Sequence, residues 1–140
     1  MSKSKILIVD DDPALCALYR LYLERTSLYE VQEVNLPAEA ISTARVYRPD
    51  AILLDVFMPG LDGRTVAREM AKDPLLCDVP VMFITTHIFQ KEAREREVIR
   101  AGMPFLAKSN DSDALVESVG RLVLGVHNPM PIDRGMGRTD

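Results

Sequence analysis

The stretch Ile6-Leu7-Ile8-Val9-Asp10-Asp11-Asp12-Pro13 decides the fold. Its first four residues are apolar and mostly β-branched, which predicts a strand that is covered on both faces. Asp12 and Pro13 then suit the N-cap and the first position of an α-helix. A buried strand that passes directly into a helix is the opening half of a βα unit, the building block of parallel sheets.

Four more strand–helix units follow along the chain. Units this short imply parallel strands, right-handed crossovers and helices on both faces of the sheet, so the sequence predicts a (βα)5 α/β protein. The second strand is expected near an edge, because its polar and apolar residues alternate. The predicted strands are 6–9, 29–34, 51–54, 79–85 and 105–107. The predicted helices are one from 13 and four more over about 37–47, 62–72, 89–101 and 111–124.

The composition limits the class of protein. The chain has 140 residues, a net charge of −4 and 47% hydrophobic residues, which suits one soluble domain and excludes disorder of the whole chain. The acidic balance gives no sign of a nucleic-acid or membrane surface. Cys16 and Cys77 lack the spacing of a disulfide framework or a zinc site, so we expect buried, reduced thiols in a cytoplasmic protein. We expect one domain over 1–125, with a flexible tail or linker start over 126–140.

Polar side chains follow four of the predicted strands. Asp10, Asp11 and Asp12 follow the first strand, and Asp55 follows the third. Thr85 stands at the end of the fourth strand and Lys108 follows the fifth. Ligands of an open parallel sheet gather at the carboxyl ends of its strands. The carboxylates of Asp10, Asp11 and Asp55 would meet there and repel one another by about 1–4 kcal/mol per pair, so the site needs a cation. Oxygen ligands favour Mg²⁺, with Mn²⁺ as an alternative.

A carboxylate beside Mg²⁺ is the type of nucleophile that forms an aspartyl phosphate. Transfer of a phosphoryl group also needs a cation and hydroxyl donors around its oxygens. Asp55 is the candidate nucleophile, with Lys108 and Thr85 as partners for the phosphoryl oxygens. Each residue taken alone suits a structural role better than a functional one, since an aspartate after a strand is often an N-cap. The inference depends on their joint placement at successive strand ends.

At this point the chain resembles a response-regulator receiver domain over about residues 4–125. The pieces that carry the resemblance are Ile6–Pro13, Leu54-Asp-Val-Phe-Met-Pro-Gly-Leu-Asp-Gly63, Pro80–Thr86 and Lys108. The resemblance implies a flavodoxin-like, doubly wound sheet with strand order 2-1-3-4-5. It also implies a two-component or phosphorelay function, in which a histidine kinase or a phosphotransfer protein phosphorylates the aspartate.

The resemblance implies a role for each site residue. Asp55 would accept the phosphoryl group and Lys108 would bind it. Asp11 would bind Mg²⁺ directly, Asp10 mainly through water, and Asp55 and the backbone carbonyl of Phe57 would complete the protein's ligands. Thr85 and Phe105 would form the switch pair. Phe57 and His87 would tune the dephosphorylation rate, although loop packing is an equally good interpretation of Phe57.

Phosphorylation would then change a surface formed by the predicted helix 89–101, the strand 105–107 and the last helix. We expect a downstream protein partner or output domain to bind there, with no direct contact to nucleic acid or membrane. Homodimerisation through the same surface is left open. The domain would catalyse its own phosphorylation and dephosphorylation and would not turn over an outside substrate.

Three features depart from the family's pattern. Ser109 follows Lys108, where the family usually has a proline with a cis peptide bond. The stretch 102–108 is one residue shorter than usual, which affects the assignment of Phe105. Phenylalanine at position 105 also lacks the hydroxyl that a tyrosine would offer.

Other classes fit the sequence less well. A haloacid-dehalogenase-type phosphatase needs a second aspartate at the position of Phe57, and a flavodoxin-like FMN binder needs a phosphate loop free of the acidic run Asp10–Asp12. The strongest alternative is a degenerate receiver that acts as a phosphorylation-independent scaffold. Only 15 residues follow residue 125, so we expect a stand-alone regulator or a piece cut from a longer one.

Overall fold

The computed structural model describes residues 2–85 and 104–125. Its strands are β1 (Ser4–Val9), β2 (Tyr29–Val34), β3 (Ala51–Asp55), β4 (Phe57–Met58), β5 (Leu61–Asp62), β6 (Val81–Thr85) and β7 (Phe105–Ala107). In the described residues five of them form one parallel sheet, in the order β2-β1-β3-β6-β7, and β4 and β5 form a separate hairpin. Counted by sheet strands alone, this is the predicted order 2-1-3-4-5, with the second strand at an edge.

Three of the four described helices begin at an aspartate that caps the first turn. Asp12 accepts hydrogen bonds from the N–H groups of Ala14 and Leu15, and Asp62 and Asp111 cap two later helices in the same way. The described helices are α1 (Pro13–Glu24), α2 (Ala40–Tyr47), α3 (Gly63–Lys72) and α4 (Ser112–Val123). All four lie within the predicted helices.

Alternate residues of the strands build a core on each face of the sheet. On one face Leu7 and Leu54 pack with α2 and α3, through side chains such as Ala44 and Met70. The other face packs against α1 and α4 through a second apolar cluster. Its members include Ile6, Ile8, Leu53, Cys16, Tyr19, Leu23, Leu115, Val119 and Leu122. The doubly wound architecture is therefore confirmed.

Three predicted boundaries were wrong by two or three residues: β1 begins at Ser4 and not at residue 6, and the other two errors lie at prolines. The helix predicted from residue 37 begins as a 3-10 turn over Pro37–Glu39, because Leu36 offers no side-chain cap and the α-helix starts only at Ala40. The strand predicted from residue 79 starts at Val81, because Pro80 has no N–H for the sheet. The hairpin of β4 and β5 was not predicted. It surrounds the predicted turn, in which Gly60 has a φ of 79°.

Some predictions fall outside the described residues: the helix 89–101, His87 and the tail 126–140. One prediction about the cysteines was wrong. Cys16 is buried as expected, but Cys77 is exposed, because it lies in the turn after α3. Among the residues that the structure describes, no helix is long and apolar enough to cross a membrane.

Candidate functional site

Three carboxylates meet where β1 and β3 end. The two strands are neighbours in register, with Val9 beside Leu54, so the residues that follow them are brought together. One carboxylate oxygen from each of Asp10, Asp11 and Asp55 lies within 4.8 Å of the other two. Asp10 and Asp55 are buried and Asp11 is exposed. The structure thus forms the acidic cluster that the strand ends predict.

Backbone donors orient the two buried carboxylates. The N–H of Asp12 donates to Asp10 Oδ1 over 3.0 Å, and the N–H of Phe57 donates to Asp55 Oδ1 over 3.3 Å. The third aspartate of the acidic run, Asp12, serves as the N-cap of α1 and is not part of the cluster. Each buried carboxylate therefore has its Oδ1 fixed by a turn, while its Oδ2 lies beside the ammonium of Lys108.

Lys108 reaches into the cluster from the end of β7. Its Nζ lies 2.8 Å from Asp10 Oδ2 and 3.3 Å from Asp55 Oδ2, and its side chain is 12% exposed. Burial opposes the charged form, but the two carboxylates outweigh burial and raise the pKa of Lys108. The ammonium therefore remains charged and partly neutralises the cluster.

Burial raises the pKa of both buried carboxyls, and their mutual repulsion adds to the effect for Asp55. The pKa of Asp55 is raised to about 7, while Lys108 and the N–H of Phe57 act in the opposite direction. The pKa of Asp10 is also raised, chiefly by burial. The site is thus short of positive charge, because one ammonium faces three carboxyl groups.

The donor set fits a hard divalent cation. Asp10 Oδ2 is buried, and Lys108 Nζ lies 2.8 Å from it. That single ammonium leaves the three clustered carboxyl groups short of positive charge, which a divalent cation would supply. The cluster offers only oxygen atoms, which suit Mg²⁺ or Mn²⁺ better than zinc. The acidic residues could therefore hold a metal ion, as the sequence predicts.

Thr85 and Phe105 lie on one face of neighbouring strands. Thr85 ends β6 and is buried, and its carbonyl accepts a hydrogen bond from the N–H of Lys108 over 3.0 Å. Phe105 is level with Phe83, two residues before Thr85, so the side chains of Thr85 and Phe105 point to the same side of the sheet. Phe105 is half-buried and packs against the core of that face.

Phe57 and Ser109 are the remaining predicted positions near the site. Phe57 is half-buried, pairs with Asp62 in the hairpin and packs against the core, which agrees with the packing interpretation of this residue. The peptide bond between Lys108 and Ser109 is trans, as are all peptide bonds in the part of the chain that the structure describes. The loop at Ser109 is therefore built without the cis bond that is usual in the family.

Sequence reasoning missed the role of Gly63. An added Cβ at Gly63 would collide with the backbone carbonyl of Asp55, and the N–H of Gly63 donates to the carbonyl of Val56 over 2.8 Å. Only glycine lets the start of α3 approach the end of β3 this closely. The glycine after Asp62 was visible in the sequence, but the near contact depends on how the chain returns from the hairpin.

Comparison with known proteins agrees with the geometry of the site. The family model described as "Response regulator receiver domain" matches residues 6–120. The chain therefore belongs to the response-regulator receiver family. The general function of this family is phosphorylation on an aspartate in two-component signalling.

Individual relatives point the same way. Protein PilH of Pseudomonas aeruginosa is 28% identical over 122 residues, which are 87% of this chain and 99% of PilH. Response regulator PleD of Caulobacter vibrioides is 42% identical over 82 residues, which are 59% of this chain but only 18% of PleD. A solved two-component response regulator of the LuxR family from Aurantimonas sp. SI85-9A1 is 27% identical with a TM-score of 0.78, covering 96% of this chain and 94% of that one.

Proposed function

We propose that residues 1–125 form a phosphoacceptor domain in which Asp55 is the residue phosphorylated. One observation carries this proposal: Asp55 is buried, yet its carboxylate lies beside two further carboxylates and a lysine ammonium at the end of the sheet. A structural aspartate has no need of such surroundings. Raised pKa values and close carboxylates are typical of sites that bind a metal ion or react.

In the proposed reaction, an oxygen of Asp55 attacks the phosphorus of a phosphohistidine in a kinase or phosphotransfer protein. The new O–P bond forms as the bond from phosphorus to the histidine nitrogen breaks, and that nitrogen keeps the electron pair. Asp10, Asp11, Asp55 and the carbonyl of Phe57 would hold Mg²⁺, which neutralises phosphoryl charge. Lys108 would bind a phosphoryl oxygen, a role supported by the 3.3 Å between its ammonium and Asp55 Oδ2.

The phosphoryl group would act on a partner through the end of β6. It adds roughly two negative charges and three acceptor oxygens beside Asp55. Thr85 would donate to one of these oxygens, and Phe105 would move into the space that Thr85 leaves. The change would reach the surface formed by residues 89–101, β7 and α4, where a protein partner, an output domain or a second copy would bind. The domain would catalyse only its own phosphorylation and dephosphorylation, in the cytoplasm.

The test is the intact mass of the protein after incubation with acetyl phosphate, with and without Mg²⁺. We expect the wild type to gain one phosphoryl group only with Mg²⁺, and the Asp55→Asn variant to gain none. The exposed Asp78 provides the control, because Asp78→Asn removes a carboxylate far from the three clustered ones and should gain the group normally. A wild type that binds Mg²⁺ but gains no phosphoryl group would contradict the proposal and favour the scaffold alternative.

A further inference from the structure

The hydroxyl of Tyr19 is a buried polar group that the proposed phosphorylation chemistry does not use. Tyr19 lies on the inner side of α1 and is 1% exposed. A buried phenol hydroxyl requires a hydrogen-bond partner, and this one has two in the loop that follows β7. The N–H of Ser109 donates to Tyr19 Oη over 3.1 Å, and Oη donates to the carbonyl of Ser109 over 3.3 Å. One hydroxyl therefore holds both polar backbone groups of Ser109.

Ser109 directly follows the lysine of the site. The strand pairing of β6 with β7 ends at Thr85 and Ala107, so Lys108 is the first residue beyond the ladder. On its N-terminal side Lys108 is fixed by the hydrogen bond from its N–H to the carbonyl of Thr85. On its C-terminal side, the N–H and the carbonyl of the next residue, Ser109, are both hydrogen-bonded to Tyr19 Oη. The backbone is therefore held on both sides of Lys108, whose side chain reaches Asp10 and Asp55.

The two partners suit each other chemically. The bond from Ser109 to Tyr19 requires an amide hydrogen at position 109, which serine has and proline lacks. It also requires a hydroxyl at position 19, which phenylalanine would not offer although it would fill the same space. Packing alone therefore explains the ring of Tyr19 but not its hydroxyl.

We propose that Tyr19 is a positioning residue for Lys108: by holding Ser109, its hydroxyl sets the direction from which the lysine ammonium reaches the two buried carboxylates. The inference rests on the proposed function of Lys108 at the phosphorylation site. Tyr19 itself touches neither carboxylate nor phosphoryl group and acts only through the loop. The two hydrogen bonds join residues that are 90 positions apart, so they depend on how α1 packs beside the loop after β7.

The first test compares Tyr19→Phe with Tyr22→Phe. Tyr22 is a matched control on the same helix, because its hydroxyl donates to the carbonyl of Asn110, one residue further from Lys108, over 3.3 Å. The readout is the rate of phosphorylation by acetyl phosphate at saturating Mg²⁺. We expect Tyr19→Phe to be roughly tenfold slower and Tyr22→Phe to stay within about twofold of the wild type, because small displacements of a charge-stabilising group are costly. Equal rates for all three proteins would overturn the proposal.

A second comparison separates positioning from general support of the fold. Tyr19→Phe is combined with Lys108→Met, and the rate is measured against Lys108→Met alone. If Tyr19 acts through Lys108, the added substitution should change the rate by less than about twofold, because the group that it positions is already gone. A tyrosine that merely stabilises the packing would slow the reaction by the same factor with and without the lysine. That result would refute the positioning role.

Hydrogen exchange tests the hydrogen bonds between Tyr19 and Ser109 without any phosphorylation. In the wild type the Ser109 amide should be protected, and in Tyr19→Phe it should exchange roughly tenfold faster while the amides of Ile8 and Leu53 in the central strands stay unchanged. Equal exchange of Ser109 in both proteins would overturn the inference. If instead the Tyr19 hydroxyl protects the Ser109 amide but the wild type gains no phosphoryl group, the proposed function fails and this positioning role fails with it.

Discussion

Lys108 Nζ lies 2.8 Å from Asp10 Oδ2, a buried carboxylate oxygen of the acidic cluster. A metal ion held by Asp10 and Asp55 would share these carboxylates with the lysine ammonium, so the two cations would compete for them. At an effective dielectric of 20, two unit charges about 4 Å apart repel each other by about 4 kcal/mol. Lys108 can relieve part of this repulsion by withdrawing towards water, since its side chain is 12% exposed.

Lys108→Met should consequently bind Mg²⁺ more tightly than the wild type, by roughly fivefold at pH 8. The same variant should accept a phosphoryl group at least about tenfold more slowly, because the phosphoryl oxygens lose their cation. Calorimetric titration with Mg²⁺ and the acetyl phosphate assay give the two values. Lys5→Met is the matched control: it also removes one positive charge, but Lys5 lies at the opposite end of β1 beside Tyr47. Weaker Mg²⁺ binding by Lys108→Met would contradict the competition.

The pKa of Asp55 makes the stability of the metal-free protein depend on pH. Its ordinary value of 3.8 is raised to about 7 by burial and by Asp10, so between these values the folded state holds more protons than the unfolded state. The stabilisation that Asp55 contributes is therefore fully present below pH 4 and is lost as the pH rises towards 7. Above pH 7 the free energy of unfolding no longer changes with the protonation of this group. Without Mg²⁺, Asp55→Asn should raise the free energy of unfolding at pH 8 by about 1–3 kcal/mol and at pH 5 by roughly a third of that amount, because pH 5 lies only about a third of the way between the two pKa values.

Urea unfolding in a chelating buffer at the two pH values measures this difference. The exposed Asp78 again supplies the control, since Asp78→Asn removes a carboxylate outside the cluster. Adding Mg²⁺ at pH 8 should stabilise the wild type and leave Asp55→Asn nearly unchanged, because binding to the folded state raises its stability. An Asp55→Asn variant that is less stable than the wild type at pH 8 would show that the Asp55 carboxylate is not under repulsion.

Gly63 should tolerate no side chain. In Gly63→Ala the added Cβ would meet the carbonyl of Asp55, so α3 or the end of β3 must move. We expect a loss of about 1–3 kcal/mol in unfolding free energy and slower phosphorylation, since Asp55 itself is displaced. Gly120→Ala in α4 is the control, because its Cβ would meet only the hydroxyl of Tyr29 at 3.5 Å and alanine favours a helix. Equal stability of the two variants would contradict the close approach.

The sequence predicted those parts of the fold that local patterns determine. Apolar runs marked the sheet strands, and Asp12, Asp62 and Asp111 marked helix starts, because a capping carboxylate acts on residues two or three positions away. The hairpin of β4 and β5 was missed, because strands of two residues carry no periodicity. The boundaries at Pro37 and Pro80 were missed because proline has no amide hydrogen to donate. Whether the missing hydrogen bond shifts an element depends on the strand or turn that would have accepted it, which the sequence does not show.

The site was predictable to the level of strand ends and no further. Asp10, Asp55 and Lys108 come together because parallel strands end at one edge of the sheet, which is a general rule. The direction of the Lys108 ammonium and the contact between Gly63 and Asp55 depend on the register of the strands and on the path of the hairpin. The hydrogen bonds of Tyr19 likewise depend on how α1 packs beside the last loop, and no local pattern records that.

Phe57 should slow the loss of the phosphoryl group if its side chain hinders water. It is the second residue after Asp55, and its N–H donates to the Asp55 carboxylate. We expect Phe57→Ala to lose the phosphoryl group about two- to tenfold faster than the wild type, measured by intact mass against time after acetyl phosphate is removed. Leu61→Ala is the control, because it removes an apolar side chain from the other strand of the same hairpin. Equal lifetimes in all three proteins would leave Phe57 with a packing role alone.

Thr85 should be needed to pass the signal on but not to accept the phosphoryl group. Its carbonyl already binds the N–H of Lys108, and a side-chain substitution leaves that bond in place. We expect Thr85→Ala to reach the same phosphoryl content as the wild type, more slowly, while phosphorylation shifts the amide resonances of Phe105 and Leu106 by less than about half as much. Thr65→Ala, which removes a hydroxyl from α3, should behave as the wild type. Resonance shifts of full size in Thr85→Ala would mean that the change reaches β7 by a route other than the Thr85 hydroxyl.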